Sequence, residues 1–209
     1  MKKIVIIGAN DFQNQLILKA KEMGFETHVF AWQDGSIGEK TADYFYSISI
    51  VETDAILEKC REIQPDAVTT IASDLANITV SKVAAGLGLP GNTLECIEIS
   101  TNKYAMRSAF KKAGLPTPAF YKVDHVTDEL YQMQLPIIVK PTDRSGSRAI
   151  TKITDFKDLP EAVRQAVGQS FEKKAIVEEY IEGNEYSYET ISYRGKHTNL
   201  AVTKKYTTG

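Results

Sequence analysis

Lys140 ends an apolar run, Pro136-Ile137-Ile138-Val139, and Pro141 follows it. An ammonium at the end of a buried strand is costly unless an anion meets it, and a phosphate would serve. Taken alone, Lys140 reads equally well as a lysine that reaches along its stem to the surface. The loop after it tips the balance. Gly146 frees the backbone, Ser145 and Ser147 offer hydroxyls, and Arg144 and Arg148 offer guanidinium forks for phosphate oxygens. A second cluster lies at Val177-Glu178-Glu179-Tyr180-Ile181-Glu182-Gly183-Asn184-Glu185, where an apolar strand runs into acids, an aromatic residue and a glycine turn. Backbone groups near Glu179 to Ile181 suit the edge of an adenine ring while Ile181 packs on its face, and Glu185 suits ribose hydroxyls. On a strand, Glu185, Ser187 and Glu189 share one side. The plainer alternative is the acidic edge of a hairpin. Together the two clusters supply a cation for phosphate, a loop to cover it, and acids for base and sugar, which is the chemistry of a nucleoside triphosphate site.

The elements that must position these residues change character along the chain. Lys3 to Ile7 is a continuous apolar run ending at Gly8, as expected of a buried parallel strand. Phe12, Leu16, Ile17, Ala20 and Met23 recur at helical spacing, with Gly24 as the stop. Strands are expected at 27–30, 44–48 and 67–71, and helices at 55–63 and 75–87, the first capped by Thr53 or Asp54. Such alternation implies a parallel sheet covered on both faces. Asn10, Asp34, Ser73 and Asp74 follow strand ends, where ligands of open α/β sheets bind. Asp74 suits an amine or a ribose, but capping the helix that begins near Leu75 is the preferred expectation. Gly8-Ala9-Asn10-Asp11-Phe12-Gln13 holds only the first glycine of a dinucleotide fingerprint, so a tight strand-to-helix turn is the better description.

A connecting helix over 100–113 is closed by Gly114-Leu115-Pro116-Thr117-Pro118. Lys103, early in that helix, is by itself a solvated lysine. Beyond it, strands are expected at 137–140, 149–153, 175–179, 186–193 and 199–204, around one helix over 159–167 with Asp158 as cap and Glu161 three residues on. This order fits an α+β unit with an antiparallel sheet. The boundary between the two units is expected near residue 95, giving 1–95 and 96–209.

Composition bounds the partners. The chain has 209 residues, 43% of them hydrophobic and 25% charged, with a net charge of −2, which makes no electrostatic case for nucleic acid or an acidic membrane. No apolar run approaches membrane-spanning length, and the start MKKIVIIG is too short in its apolar part for a signal peptide, so the expected compartment is the cytoplasm. Cys60 and Cys96 read as small buried thiols, with a disulfide left open. His28, His125 and His197 have no ligand spacing.

In order and spacing these motifs resemble the ATP-grasp superfamily, in particular proteins like the large subunit of carbamoyl-phosphate synthetase and carboxylate–amine ligases, across essentially the whole chain. KKIVIIGAN through LGLPGN resembles the Rossmann-like pre-ATP-grasp domain. Thr101-Asn102-Lys103 with the Ala113–Pro118 segment resembles the entry helix whose lysine meets ATP phosphate, which raises Lys103 above a surface lysine. LPIIVKP is similar to the strand of the second phosphate lysine, and TDRSGSRAI to the phosphate-covering loop, although Ala149 stands where a glycine is common. VEEYIEGNEYSYE is similar to the hinge between the two lobes. The resemblance implies an α/β fold: the Rossmann-like domain, an α+β ATP-grasp small lobe, and the first strands of the large lobe. It implies that Glu178 takes the adenine amino group, the backbone near Tyr180 and Ile181 takes the ring edge, and Glu185 takes the ribose. Lys103, Lys140, Ser145, Gly146 and Ser147 then take phosphate.

The implied reaction is ATP-dependent activation of a carboxylate as an acyl phosphate, which an amine or similar nucleophile then attacks. The partners are ATP and small-molecule carboxylate and amine substrates, together with magnesium. The family's magnesium ligands come after the point matching Thr208-Gly209, so the chain is expected to be an N-terminal portion that lacks turnover alone. A homo-oligomer and a complementing C-terminal polypeptide both stay open. The competing expectations are a non-catalytic nucleotide-binding or regulatory module, half of a split ligase, and an oxidoreductase, which the missing glycines disfavour.

Overall fold

In the computed structural model, which describes residues 1–146 and 148–206, the first strand sends Val5 and Ile7 to one face of a sheet and Ile6 to the other, all three fully buried. That two-sided burial explains the unbroken apolar run. The strands β1 (Lys3–Ile7), β2 (Glu26–Ala31), β3 (Tyr44–Ser47) and β4 (Ala67–Thr69) form a parallel sheet in the order β3-β2-β1-β4. Helix α1 (Asp11–Glu22) lies on one face and brings Ile17 and Ala20 against Ile6 and Val29. A short α2 (Ile37–Thr41) leads into β3. Helices α3 (Thr53–Ile63) and α4 (Asp74–Leu87) cover the other face with Ile56, Cys60 and Val83 against Val5, Ile7 and Phe30. Each such aliphatic side chain, fully buried, is worth about 1.5–3 kcal/mol.

The inward stripe of α1 differs from the expected one. Phe12 and Met23 are exposed, whereas Gln13 and Asn14 are buried. The reason is polar: the Gln13 side-chain amide donates to the Ile71 carbonyl, and its methylene packs over the Cα of Gly8. Cys60 is buried as expected, and burial pushes its thiol up to about 12. Cys96 is exposed, and both cysteines are free.

The second sheet is antiparallel, made of β5 (Phe120–Val123), β6 (Ile137–Pro141), β7 (Thr151–Ile153) and β8 (Ala175–Glu179) in the order β5-β8-β6-β7. Helix α7 (Leu159–Gln169) packs on one face, where Leu159, Val163 and Ala166 meet Ile137, Val139 and Val177. Strand β5 was not anticipated. Strand β7 starts two residues later than expected, because Ala149 has φ 50°, a left-handed conformation outside the strand region. Asp158 makes no side-chain cap bond to α7. Asp155 caps the preceding 3-10 turn instead, and Glu161 pairs with Arg164 rather than reaching back.

The expected single helix over 100–113 is two helices, α5 (Leu94–Thr101) and α6 (Lys103–Lys112). Asn102 takes an extended conformation between them, and its side-chain oxygen accepts from the amides of Tyr104 and Ala105. This is an N-cap in mid-segment. Strands β9 (Glu185–Tyr193) and β10 (Lys196–Lys205) make an exposed hairpin, turned by Arg194 and Gly195, both at positive φ, as a two-residue hairpin loop requires. Among the described residues no helix is long and apolar enough to cross a membrane.

Asp43 ties the edge of the parallel sheet together. Its carboxylate accepts from the amide and hydroxyl of Thr27 at 2.9 and 2.8 Å and from Lys21 at 2.7 Å. Burial alone would raise its pKa, but these bonds hold it down at about 2, from an ordinary 3.8. Asp43 therefore contributes stability above pH 3.8 that is lost as pH falls toward 2. Replacing Asp43 by Ala should cost about 2 kcal/mol in urea unfolding at neutral pH, and the difference from the unmodified chain should shrink below pH 3.8.

Candidate functional site

At the carboxyl edge of the parallel sheet the first turn lines a cavity of about 150 Å³ together with Gln13, Asp34 and Ser73. Gly8 has φ 103°, and a Cβ there would meet the Gln13 side chain at 3.0 Å. The Gln13 side chain thus occupies the space a larger residue at position 8 would need. Asn10 caps α1, accepting from Phe12 N at 3.0 Å and Gln13 N at 3.4 Å. Ser73, not Asp74, caps α4, with its hydroxyl accepting from Ala76 N at 3.2 Å. Asp74 is the first helical residue and lines a cleft.

That cleft, about 730 Å³, runs between the start of α4 and the loop after β6, with Ser73 and Asp74 on one side and Lys103, Arg144, Gly146 and Arg148 on the other. Strand alternation delivers its neighbouring charges. Ile137 and Val139 point into the core under α7, so Ile138 and Lys140 must take the opposite face. The same rule on β8 buries Ala175 and Val177 under α7 and turns Ile176 and Glu178 the other way. Lys140 and Glu178 consequently meet, and the Lys140 ammonium donates to Glu178 Oε1. From α6, Arg107 Nε donates to Glu178 Oε2 at 3.0 Å and its Nη2 approaches Oε1 at 3.4 Å. Glu178 is only 5% exposed. Burial would raise its pKa, but the bonds from Arg107 and Lys140 outweigh it and hold the carboxyl below the ordinary 4.5.

Lys103 begins α6, and its ammonium donates to the Arg144 carbonyl. Burial pushes its pKa down, the Lys140 charge acts in the same direction, and Asp143, Asp74 and Glu178 oppose both. The two lysines are thus close enough for one charge to depress the other. The root of the covering loop is fixed by residues the sequence did not single out. Thr142 is fully buried and bonds to the Lys174 carbonyl, and Asp143 accepts from the amides of Phe171 and Glu172 at 3.0 and 2.8 Å. Arg144, expected as a phosphate fork, is instead engaged: its Nε donates to the Gln169 carbonyl at 2.7 Å and its guanidinium lies 4.0 Å from the Phe171 ring centroid. Ser145, Gly146 and Arg148 are exposed. Gly146 has φ 74° with open space around it. Ser147 lies outside the described residues.

The hinge segment shows a mixed outcome. The Tyr180 amide donates to the Pro136 carbonyl at 3.2 Å, so that donor is already used, and Lys152 sits 3.7 Å over the Tyr180 ring. Ile181 is 63% exposed and free to cover a flat ligand. Glu185 is exposed on β9 and pairs with Lys205 at 2.9 Å rather than with the Lys140–Glu178–Arg107 cluster. Among the described residues no group of three or more His, Cys, Asp or Glu side chains gathers to hold a metal. Arg107, the main omission of the sequence analysis, lies four residues after Lys103 on the same helix face, and that spacing was the available signal.

A family model described as an ATP-grasp domain matches residues 100–209. D-alanine–D-alanine ligase B of Chromobacterium violaceum is 32% identical over 114 residues, covering 52% of this chain and 37% of that protein. The crystal structure of an L-amino acid ligase from Bacillus licheniformis superposes with a TM-score of 0.82 at 26% identity, covering 98% of this chain and 50% of that one. An N5-carboxyaminoimidazole synthetase from Staphylococcus aureus, crystallised with ADP, superposes at a TM-score of 0.78 and 18% identity over 99% of this chain and 55% of its own, a likeness of fold. The chain thus spans about half the length of these structures and less of the curated relative.

The charge cluster makes a direct prediction. Replacing Glu178 by Gln leaves Lys140 and Arg107 facing each other without a counter-charge and should lower unfolding free energy by about 2–3 kcal/mol at neutral pH. Because the folded carboxyl is held below 4.5, its contribution is fully present above that pH and lost as pH falls further, so the two proteins should converge in acid urea titrations.

Proposed function

We propose that this chain, which belongs to the ATP-grasp family, binds ATP through its antiparallel sheet and serves a ligase that joins a carboxylate to an amine. Glu178 accepts from the adenine amino group, the backbone at Tyr180 and Ile181 lines the ring edge, and Glu185 turns to the ribose. Lys103, Lys140 and the loop at Ser145, Gly146 and Ser147 hold the phosphates. The observation that carries this assignment is the meeting of Lys140 with Glu178, beside Lys103, on the sheet face that α7 leaves free. Two neighbouring ammonium groups, one of them depressed in pKa by burial and by the other, gain most from a polyanion. The relatives support it: they are ligases by name, and one neighbour of the same fold was crystallised with ADP.

In the proposed reaction a carboxylate oxygen attacks the terminal phosphorus of ATP, the bond to the bridging oxygen breaks, and ADP leaves. An amine then attacks the acyl carbon and expels phosphate. Phosphoryl transfer asks the protein mainly for alignment and charge neutralisation, which two fixed lysines and a covering loop provide. The carboxylate and amine are assigned to the cleft between Asp74 and the loop, which Lys103 lines. We further assign residues 1–95 and 96–209 to two units, place the exposed β9–β10 hairpin at the start of a second lobe, and take the compartment to be the cytoplasm.

Calorimetric titration with ATP tests the binding. Lys140→Ala should weaken ATP binding by about tenfold or more, while NAD should give no heat with either protein. Unchanged ATP affinity in the variant would remove Lys140 from the site.

A further inference from the structure

Glu178 is shared by two cations of different standing. Lys140 is 14% exposed and Arg107 is 25% exposed, against 6% for the Glu178 side chain. With Lys140 serving a phosphate, as proposed above, its ammonium is drawn from Glu178 toward the nucleotide. The carboxylate is then buried with one close partner, Arg107, through Nε at 3.0 Å. The other groups facing it settle nothing. Lys103, also on α6, acts at longer range and points to the Arg144 carbonyl. Phe120 of β5 and Ile138 of β6 lie opposite Glu178 in the sheet and carry no charge. Glu179, next on β8, is engaged with the amide of Ala119.

The protonation of Glu178 decides which purine it can recognise. An ionised carboxylate only accepts, which suits the 6-amino group of adenine. A protonated carboxyl donates, which suits the 6-oxo group of guanine. A buried carboxylate stripped of its counter-ions takes up a proton. We infer that Arg107 is a specificity-determining positioning residue. It keeps Glu178 an acceptor while Lys140 turns to the phosphate, and so enforces adenine over guanine. This rests on the adenine assignment of Glu178 made above.

The test is the ATP-to-GTP affinity ratio of the 209-residue chain, measured by calorimetry between about pH 6 and pH 8. The unmodified chain should prefer ATP with a flat ratio. In Arg107→Met the ratio should fall as pH is lowered, narrowing by about tenfold at the acid end, and Arg107→Lys should restore most of the preference. An Arg107→Met ratio as large and as flat as that of the unmodified chain would overturn the inference while leaving ATP binding intact. Absence of ATP binding by the unmodified chain would overturn the proposed function and this inference together. Should Arg107→Met fail to fold, carbon-13 NMR of the Glu178 carboxyl in the unmodified chain gives the answer. The group should stay ionised at about pH 6 with ATP bound, and protonation there would overturn the role of Arg107.

Discussion

A buried carboxylate between two cations organises the antiparallel half of this molecule. Glu178 can lie 5% exposed only because Lys140 and Arg107 come to it from another strand and from a helix. The requirement is demanding, since the cost of removing three charges from water is recovered only with well-aligned partners. It sets the register of β8 against β6, where Ile138 faces Glu178 and Lys140 faces Ile176. A slip of β8 by one residue would turn Glu178 under α7, away from Lys140, and bring Val177 out of the core. It also sets the position of α6, which must bring Arg107 within reach of a strand 71 residues further along the chain. The cluster carries more positive than negative charge, and Lys103, bonded to the loop at Arg144, lies close enough to Lys140 to feel its charge.

The parallel half is built on a different principle. Its strands are sealed on both faces by aliphatic side chains, and its polar groups are spent locally, with Asn10 and Ser73 on helix caps and Gln13 on the Ile71 carbonyl. Ser73 and Asp74, with Ile50, Leu75 and Ile78, are its contributions to the cleft. Charge for phosphate comes from one half, and one wall of the space beside it from the other.

Much of this was legible from residue order. The apolar runs of β1 and β6, the glycine after α1 and the acids after β8 carry local physics that a single strand or helix end expresses by itself. What escaped notice depends on distant partners or on competing local signals. Phe120-Tyr121-Lys122-Val123 is a short strand hidden behind two prolines, and only its pairing with β8 defines it. Thr101-Asn102-Lys103 continues a helical pattern, yet Asn102 at that point is a cap that splits the helix. Phe12 looked like core because an apolar stripe was assumed, whereas the buried position went to an amide with a carbonyl to satisfy. Arg144 matched a phosphate fork by type and was taken up by Phe171 and the Gln169 carbonyl, neither of which is near it in sequence.

One backbone bond gives Lys103 and Lys140 a common mount. The amide of Lys103 opens helix α6, where a helix has no internal acceptor for it, and it donates instead to the Thr142 carbonyl at 2.7 Å, two residues past Lys140. Asn102 adds a bond to Glu172, whose amide is held by Asp143. The helix start and the strand end are thereby riveted into one rigid bracket. The backbone positions of Lys103 and Lys140 are thus held relative to each other by the main chain and its caps, and their long side chains alone are left to adjust.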